Sequence, residues 1–399
     1  ITENIMSKEK SFLGEFTFAN EPVSAENESL VDEFTGSKYN RLVVKSNSSH
    51  HIKMGYSPGE GLKIINLNRR KNNPLGEFLS LELENFIEIK AFIEKYGFIY
   101  PISNEKYCPV NLDELFFIQE RLKAFIHLIN SQNKSHLKLN ELLDSTLYLL
   151  LKDYSVIPST QSEYLPSKSV LQELLNSPNT ELTKDHQCAT SVTIEGQTQI
   201  IFSRFSQSLN ENIETDMELV QQILQDENTP HWCKRIFNLF YSLDFLDLPD
   251  EIHKKIDFLF GCVYLLNPFR AELVGIKNSF THDSYEAIKS NEYFSEYLLE
   301  ISKMLISEEF ERALDKVRFT YNTKTMAPDW KVPSLLSALY FSIYYKNSKN
   351  IIYRTCVNNH CRQYFEVSST NSTKRHCSDN CRDSKNARIM RQRKKQENN

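Results

Sequence analysis

Four cysteines near the C-terminus form the pattern in this chain that most clearly indicates chemistry. Four residues separate Cys356 from Cys361, three separate Cys377 from Cys381, and fifteen lie between the two pairs. Two close pairs of thiols joined by a short polar loop are typical of a tetrahedral Zn²⁺ site, because each pair can bind the metal from one turn. We therefore predict Zn²⁺ as a cofactor and these four cysteines as its ligands.

The segment between the cysteine pairs indicates that the metal is needed for folding. It contains only three apolar side chains, Tyr364, Phe365 and Val367, which are too few for a core. Metal binding, on the order of 10–16 kcal/mol in small zinc domains, would then replace apolar burial. His360 and His376 each adjoin a cysteine and could replace one as a ligand. The other interpretations are unconnected thiols or disulfides, but the N-terminus shows no secretory signal, and we expect a reducing cytoplasmic location.

The residues around and after the last cysteine pair carry a dense positive charge. Arg382, Lys385, Arg388 and Arg391 recur every three residues, which places them on one slowly drifting face of a helix. Such a face is typical of a helix that contacts phosphates or enters a groove of nucleic acid, although a solvated, frayed C-terminus would also be basic. The predicted nucleic-acid-binding residues are Lys374, Arg375, Arg382, Lys385, Arg388, Arg391, Arg393, Lys394 and Lys395.

Charge separates the C-terminal end from the rest of the chain. Residues 351–399 contain 11 Lys and Arg against 4 Asp and Glu, a net charge of +7. The other 350 residues contain 36 against 48, a net charge of −12. A polyanion is attracted by the basic end and repelled by the acidic body, so we expect any nucleic acid to bind at the C-terminus.

The cysteine segment resembles the CGNR-type zinc finger found at the C-terminus of bacterial ABATE-domain proteins. Phe365 matches the aromatic residue of that pattern, residues 368–373 match its polar loop, and Lys374 with Arg375 match its basic pair. Ala387 and Arg388 match the basic helix. Three residues rather than four separate the last cysteine pair, and residues 382–384 read Arg-Asp-Ser instead of Gly-Asn-Arg. The whole chain is also similar to an uncharacterised zinc-finger-terminated family of low-GC Gram-positive bacteria. The resemblance implies a transcription regulator whose finger contacts DNA.

The rest of the sequence predicts a mainly α fold, a helical-bundle body with small β elements and the C-terminal finger. The chain has only 10 glycines in 399 residues, and tight turns are correspondingly few. Apolar residues recur at helical spacing over residues 79–93, 113–129 and 137–151. Residues 258–266 are almost wholly apolar but half the length of a membrane span, so we predict a buried helix and no membrane partner.

Composition divides the chain into four predicted parts. Residues 1–72 form an N-terminal segment with short strands, and residues 73–160 form a helical unit ending in a linker near 155–168. Residues 161–350 form a second mainly helical unit with a β-hairpin near 191–205, and a short polar connection at 346–350 leads to the finger. Residues 351–399 form the four-cysteine zinc finger and the basic helix.

Three functional classes follow from these features. The first is a bacterial nucleic-acid-binding regulator, with duplex DNA as the favoured partner and a helical body that senses a small-molecule or protein effector or forms a homodimer. The second is a protein- or RNA-interaction protein with a purely structural zinc site. The third is an enzyme such as a defence-associated nuclease. No convergent catalytic constellation can be read from the sequence, so we expect no enzymatic activity.

Overall fold

A computed structural model describes most of the chain. The residues described are 15–32, 35–47, 50–57, 61–65, 72–102, 106–132, 138–152, 169–177, 188–194, 197–227, 229–243, 246–266, 286, 288–323, 326–345, 351–368 and 373–397. About half of them are helical and about a quarter lie in strands. The expectation of a mainly α fold is therefore correct only in coarse terms, because strands form five small sheets among the described residues.

Two compact units are present. The first contains the described residues up to 132 and from 309 onward, and the second those from 138 to 308. The first unit therefore includes the cysteine segment. The two units are defined by the contacts within the folded chain. The four parts predicted from composition are segments expected to fold separately, and they stay a prediction. The predicted linker at 155–168 and the connection at 346–350 fall outside the described residues.

The first unit begins with strands and continues with helices. Its N-terminal elements are β1 (Phe16–Asn20), β2 (Val23–Val31), β3 (Lys38–Ser46), β4 (Ile52–Ser57), β5 (Gly61–Ile64), α1 (Pro74–Leu79), α2 (Phe86–Tyr96), β6 (Cys108–Pro109) and α3 (Leu112–Ser131). The strands form two antiparallel sheets with the orders β1-β4-β5 and β2-β3-β6. Burial alternates along β1 because successive side chains of a strand point to opposite faces.

Asparagines begin the three helices of this region. The side chains of Asn73, Asn85 and Asn111 accept backbone N–H bonds from the first turns of α1, α2 and α3. Helix α2 ends at Gly97, whose φ of +80° favours glycine. The buried amide of Asn20 donates to the carbonyl oxygens of Tyr96 (2.8 Å) and Phe98 (3.0 Å), which attaches this helix end to β1.

The second unit contains a three-stranded meander and a group of helices. Its elements are α4 (Leu139–Leu151), α5 (Val170–Asn176), β7 (Ala189–Ile194), β8 (Gln197–Ser206), β9 (Glu211–Asp216), α6 (Met217–Gln225), α7 (His231–Ser242), α8 (Asp250–Leu266) and most of α9 (Glu292–Leu314). Strands β7 and β8 form the hairpin predicted near 191–205. The apolar run at 258–266 lies in α8, and Phe258 and Phe260 are fully buried, as expected. Within the described part, no helix is both long and apolar enough to cross a membrane.

The C-terminal elements complete the first unit. They are the end of α9, β10 (Arg318–Asn322), β11 (Ala327–Lys331), α10 (Leu335–Tyr344), β12 (Ile351–Thr355), β13 (Tyr364–Ser368) and α11 (Asp379–Glu397). A buried ion pair joins α3 to the end of α9, since Arg121 contacts Glu309 with Nε–Oε1 and Nη2–Oε2 distances of 2.8 and 2.6 Å. The hydroxyl of Tyr340 on α10 donates to the same carboxylate (2.6 Å).

Candidate metal centre and basic helix

The first cysteine pair lies in the turn of the β12–β13 hairpin. Cys356 directly follows β12, and its N–H donates to the carbonyl oxygen of Gln363 (3.0 Å). The N–H of Cys361 donates to the carbonyl oxygen of Asn358 (2.8 Å). Arg362 then adopts a left-handed φ of +46°, which reverses the chain so that it can return as β13. This turn brings both thiols toward one point.

The second cysteine pair lies where helix α11 begins. Cys377 precedes the helix, and Cys381 lies in its first turn. The N–H of Cys381 is hydrogen-bonded to the Ser378 hydroxyl (3.3 Å). The helix therefore starts directly from the candidate metal centre, and its direction depends on where these two thiols are held.

The four thiols are close enough to share one ion. The Sγ atoms of Cys356, Cys361, Cys377 and Cys381 all lie within 4.8 Å of one another. The Cys361–Cys377 and Cys377–Cys381 Sγ–Sγ distances are 3.5 and 3.4 Å. A regular tetrahedron with Zn–S bonds of about 2.3 Å has Sγ–Sγ edges of about 3.8 Å, whereas a disulfide measures about 2.05 Å. The donor set and its spacing thus fit a tetrahedral metal ion and not a pair of disulfides.

Among the described residues, these four cysteines are the one group in which three or more potential metal ligands from His, Cys, Asp or Glu lie close together. His360 and His376, the alternative ligands considered from the sequence, are not members of it. Soft thiolate tetrahedra suit zinc, so the cluster is compatible with a zinc finger.

Ionisation of the thiols is uneven. Burial raises the pKa of Cys377 and of Cys361. Burial also acts to raise the pKa of Cys381, but hydrogen bonds from Cys377 and Ser378 outweigh it and lower that pKa. Four thiolates this close repel one another, so a bound cation favours the fully ionised set that metal binding requires.

A small apolar cluster supports the centre. Ile352, Phe365 and Val367 of the hairpin are buried together with Cys356, and the other three cysteines pack against them. The hairpin alone therefore has only a minimal core, in agreement with the scarcity of apolar residues in its sequence. Contacts with the rest of the unit, and a metal ion when one is bound, would supply the remaining stability.

Contacts with the N-terminal helices hold the hairpin in the first unit. The Asn130 side chain at the end of α3 pairs with the backbone of Tyr353, donating to its oxygen (2.9 Å) and accepting from its N–H (2.9 Å). Asn73 donates to the carbonyl oxygen of Tyr364 (3.1 Å). A Cβ at Gly76 would overlap that same oxygen, so α1 and β13 are in close backbone contact.

Asn358 links the two halves of the centre. It is 4% exposed, its side-chain nitrogen donates to the carbonyl oxygen of Cys381 (3.2 Å), and its side-chain oxygen accepts from Nη1 of Arg388 (3.2 Å). Arg388 also donates to the Ser384 hydroxyl (2.8 Å). Sequence reasoning missed Asn358, because an asparagine between two cysteines has no spacing signature.

The predicted basic face does not behave uniformly. Arg382 is paired with Asp379 (3.1 Å) and Asp383 (3.2 Å), and Lys385 and Arg388 are half-buried. Lys374 and Arg375 are exposed before the helix, with the Lys374 ammonium 5.6 Å from the centre of the Phe365 ring.

The more distal cations are open to solvent. Arg391, Arg393 and Lys394 are all exposed. Lys395 lies in the helix, but its side chain is outside the described part. The cations of the helix thus divide into an inner group that is paired or half-buried and an outer group that is exposed to solvent.

Comparisons with known proteins leave the family open. No family model, no curated protein and no solved structure matches this chain. The resemblance to CGNR-type fingers is accordingly supported at the level of the cysteine cluster, and membership of that family stays an expectation.

Proposed function

We propose that this chain is a zinc-dependent nucleic-acid-binding protein in which the four-cysteine centre positions a cationic helix. The observation that carries the proposal is the helix itself. Its first turn contains Cys381, and its distal part exposes Arg391, Arg393 and Lys394. When bound, zinc would fix the direction in which that distal part is presented.

Charge supports a polyanionic partner. Helix α11 contains seven Lys and Arg against three Asp and Glu, and two of those acids are paired with Arg382. The acidic balance of the body makes the helix the favoured contact for a polyanion.

The arrangement of the exposed cations favours duplex DNA within this proposal. At about 100° per residue, Arg391 and Lys394 lie on one side of the helix, and Arg393 lies on roughly the opposite side. A helix in a major groove has phosphates on both sides, and cations around its circumference can contact both strands. In the proposed role of transcription regulator, the remainder of the chain would respond to an effector or partner.

A binding titration tests the proposal. Zinc-loaded full-length protein would be titrated by fluorescence polarisation against random duplex DNA, single-stranded DNA and RNA at two salt concentrations. The test variant replaces Arg391, Arg393 and Lys394 with Gln. The matched control replaces three exposed lysines elsewhere in the first unit, K38Q/K53Q/K106Q, with the same loss of charge.

We expect salt-sensitive binding, strongest for duplex DNA, that the test variant loses and the control retains. Tighter binding to single-stranded DNA or to RNA than to duplex DNA would indicate that the natural partner is RNA or an unpaired strand. Absence of binding to every nucleic acid would reject the proposal and leave zinc in a structural or protein-docking role. Point variants are preferred to a truncation at residue 350, because truncation would also remove the partner of Asn130.

A further inference from the structure

The β10–β11 hairpin has one anchored strand and one open strand. Trp330 of β11 is half-buried, and its ring meets the Phe341 ring of α10 edge-on, with centroids 5.2 Å apart. Strand β11 also lies beside β1. Phe319 of β10 pairs with Trp330 across the hairpin. The hairpin is therefore held to the first unit through β11.

Strand β10 exposes apolar rings. Phe319 is 61% exposed and Tyr321 53%, and Arg318 and Thr320 are exposed as well. Among the described strands, β10 pairs only with β11. Its outer edge thus offers backbone groups and two aromatic rings to another strand. An edge of this kind is a template for strand pairing unless charge or a covering element protects it.

We propose that two copies of the chain associate by antiparallel pairing of their β10 strands. Such pairing has its two-fold axis perpendicular to the sheet. Because directly opposed side chains lie on the same face, the axis must lie midway between two copies of one residue. Full overlap of the five-residue strand makes that residue Thr320. Phe319 of each copy then lies opposite Tyr321 of the other, and Arg318 lies opposite Asn322.

The strand suits this register. Aromatic residues face aromatic residues twice, which is among the favourable cross-strand combinations. The strand has one charged residue, Arg318, and it does not meet its own copy. Paired strands of five residues bury less surface than a standard interface, so we expect a reversible, concentration-dependent dimer. The dimer would present two basic helices, but the inference does not depend on nucleic-acid binding.

Charge substitution at the proposed axis provides the test. In the dimer, residue 320 of one copy faces residue 320 of the other, at a Cβ–Cβ separation of about 5 Å. The full-length variants T320K and T320E would each place like charges together, whereas an equimolar mixture would place opposite charges together. The control pair is T193K and T193E, which changes an exposed threonine of strand β7.

Sedimentation velocity without nucleic acid is the measurement, with circular dichroism to confirm folding. The wild type should dimerise with rising concentration, and each Thr320 variant should weaken dimerisation at least about ten-fold. The mixture of the two should restore it, and the Thr193 variants should match the wild type. A wild type that stays monomeric up to about 0.1 mM, or a dimer that neither Thr320 charge disturbs, would overturn the proposal. Failure of the mixture to recover would also overturn it.

Discussion

Replacing Asn130 with Ala should both destabilise the first unit and weaken metal binding. The Asn130 side chain forms the two hydrogen bonds that a neighbouring strand would otherwise form with Tyr353. It accepts from the N–H and donates to the carbonyl oxygen of Tyr353, on the side of β12 that faces away from β13. Tyr353 is 6% exposed, so water can replace the amide only in part. Each buried backbone group left without a partner costs about 1–3 kcal/mol, and the expected loss is about 2–4 kcal/mol after partial hydration.

Linkage carries this loss to the metal. If the hairpin docks in this way only when the metal is bound, the docking energy contributes to metal affinity, and removing about 2 kcal/mol of it lowers that affinity about 30-fold. Urea unfolding followed by circular dichroism would measure stability, and competition with a chromophoric chelator would measure zinc affinity. The control is N40A, at an exposed asparagine of β3. Wild-type stability and zinc affinity in N130A would refute the reasoning.

Three further predictions concern the core, the close contact and the metal. E309Q should lower the free energy of unfolding, measured with urea, by about 3–5 kcal/mol, because it leaves the buried Arg121 without its counter-charge. Burial acts to raise the pKa of Glu309, but Arg121 outweighs it and lowers that pKa below its ordinary 4.5. The stability that the ion pair contributes is therefore fully present above pH 4.5 and is lost as the pH falls through the lower pKa of the folded state. A stability difference between wild type and E309Q that persists in acid would contradict this. G76A should cost at least about 1–3 kcal/mol, because the added methyl group overlaps the Tyr364 carbonyl oxygen; an unchanged melting temperature would show that α1 and β13 can separate freely. C377S should release zinc and raise amide hydrogen exchange in residues after about 351, and exchange that rises equally throughout the first unit would show that the finger does not unfold separately.

Residue types and spacing predicted the four cysteines of the candidate metal centre. Two close pairs of cysteines predict a shared metal site, because few other functions need thiols at these intervals. The structure brings all four thiols together. Apolar periods likewise predicted α3 and most of α2, since these signals lie within a single helix, although residues 80–85 of the predicted 79–93 segment are not helical.

Long-range contacts were beyond the sequence. The pairing of Asn130 with Tyr353 spans 223 residues, and no local pattern distinguishes this asparagine from one that is solvated. The β10–β11 hairpin fell within a region expected to be mainly helical, because strand preference depends on what packs against a strand. The period of the basic helix predicted its cations as one face but could not show that Arg388 contacts Asn358.

The salt dependence of duplex binding tests the central claim most directly. Affinity of the zinc-loaded wild type and of R391Q/R393Q/K394Q for one duplex would be measured over a range of salt concentrations. If the three cations contact phosphates, the slope of log K against log salt should become shallower by about 2.7, at about 0.9 per phosphate. Equal slopes and equal affinities for wild type and variant would contradict the claim that this helix is the nucleic-acid contact.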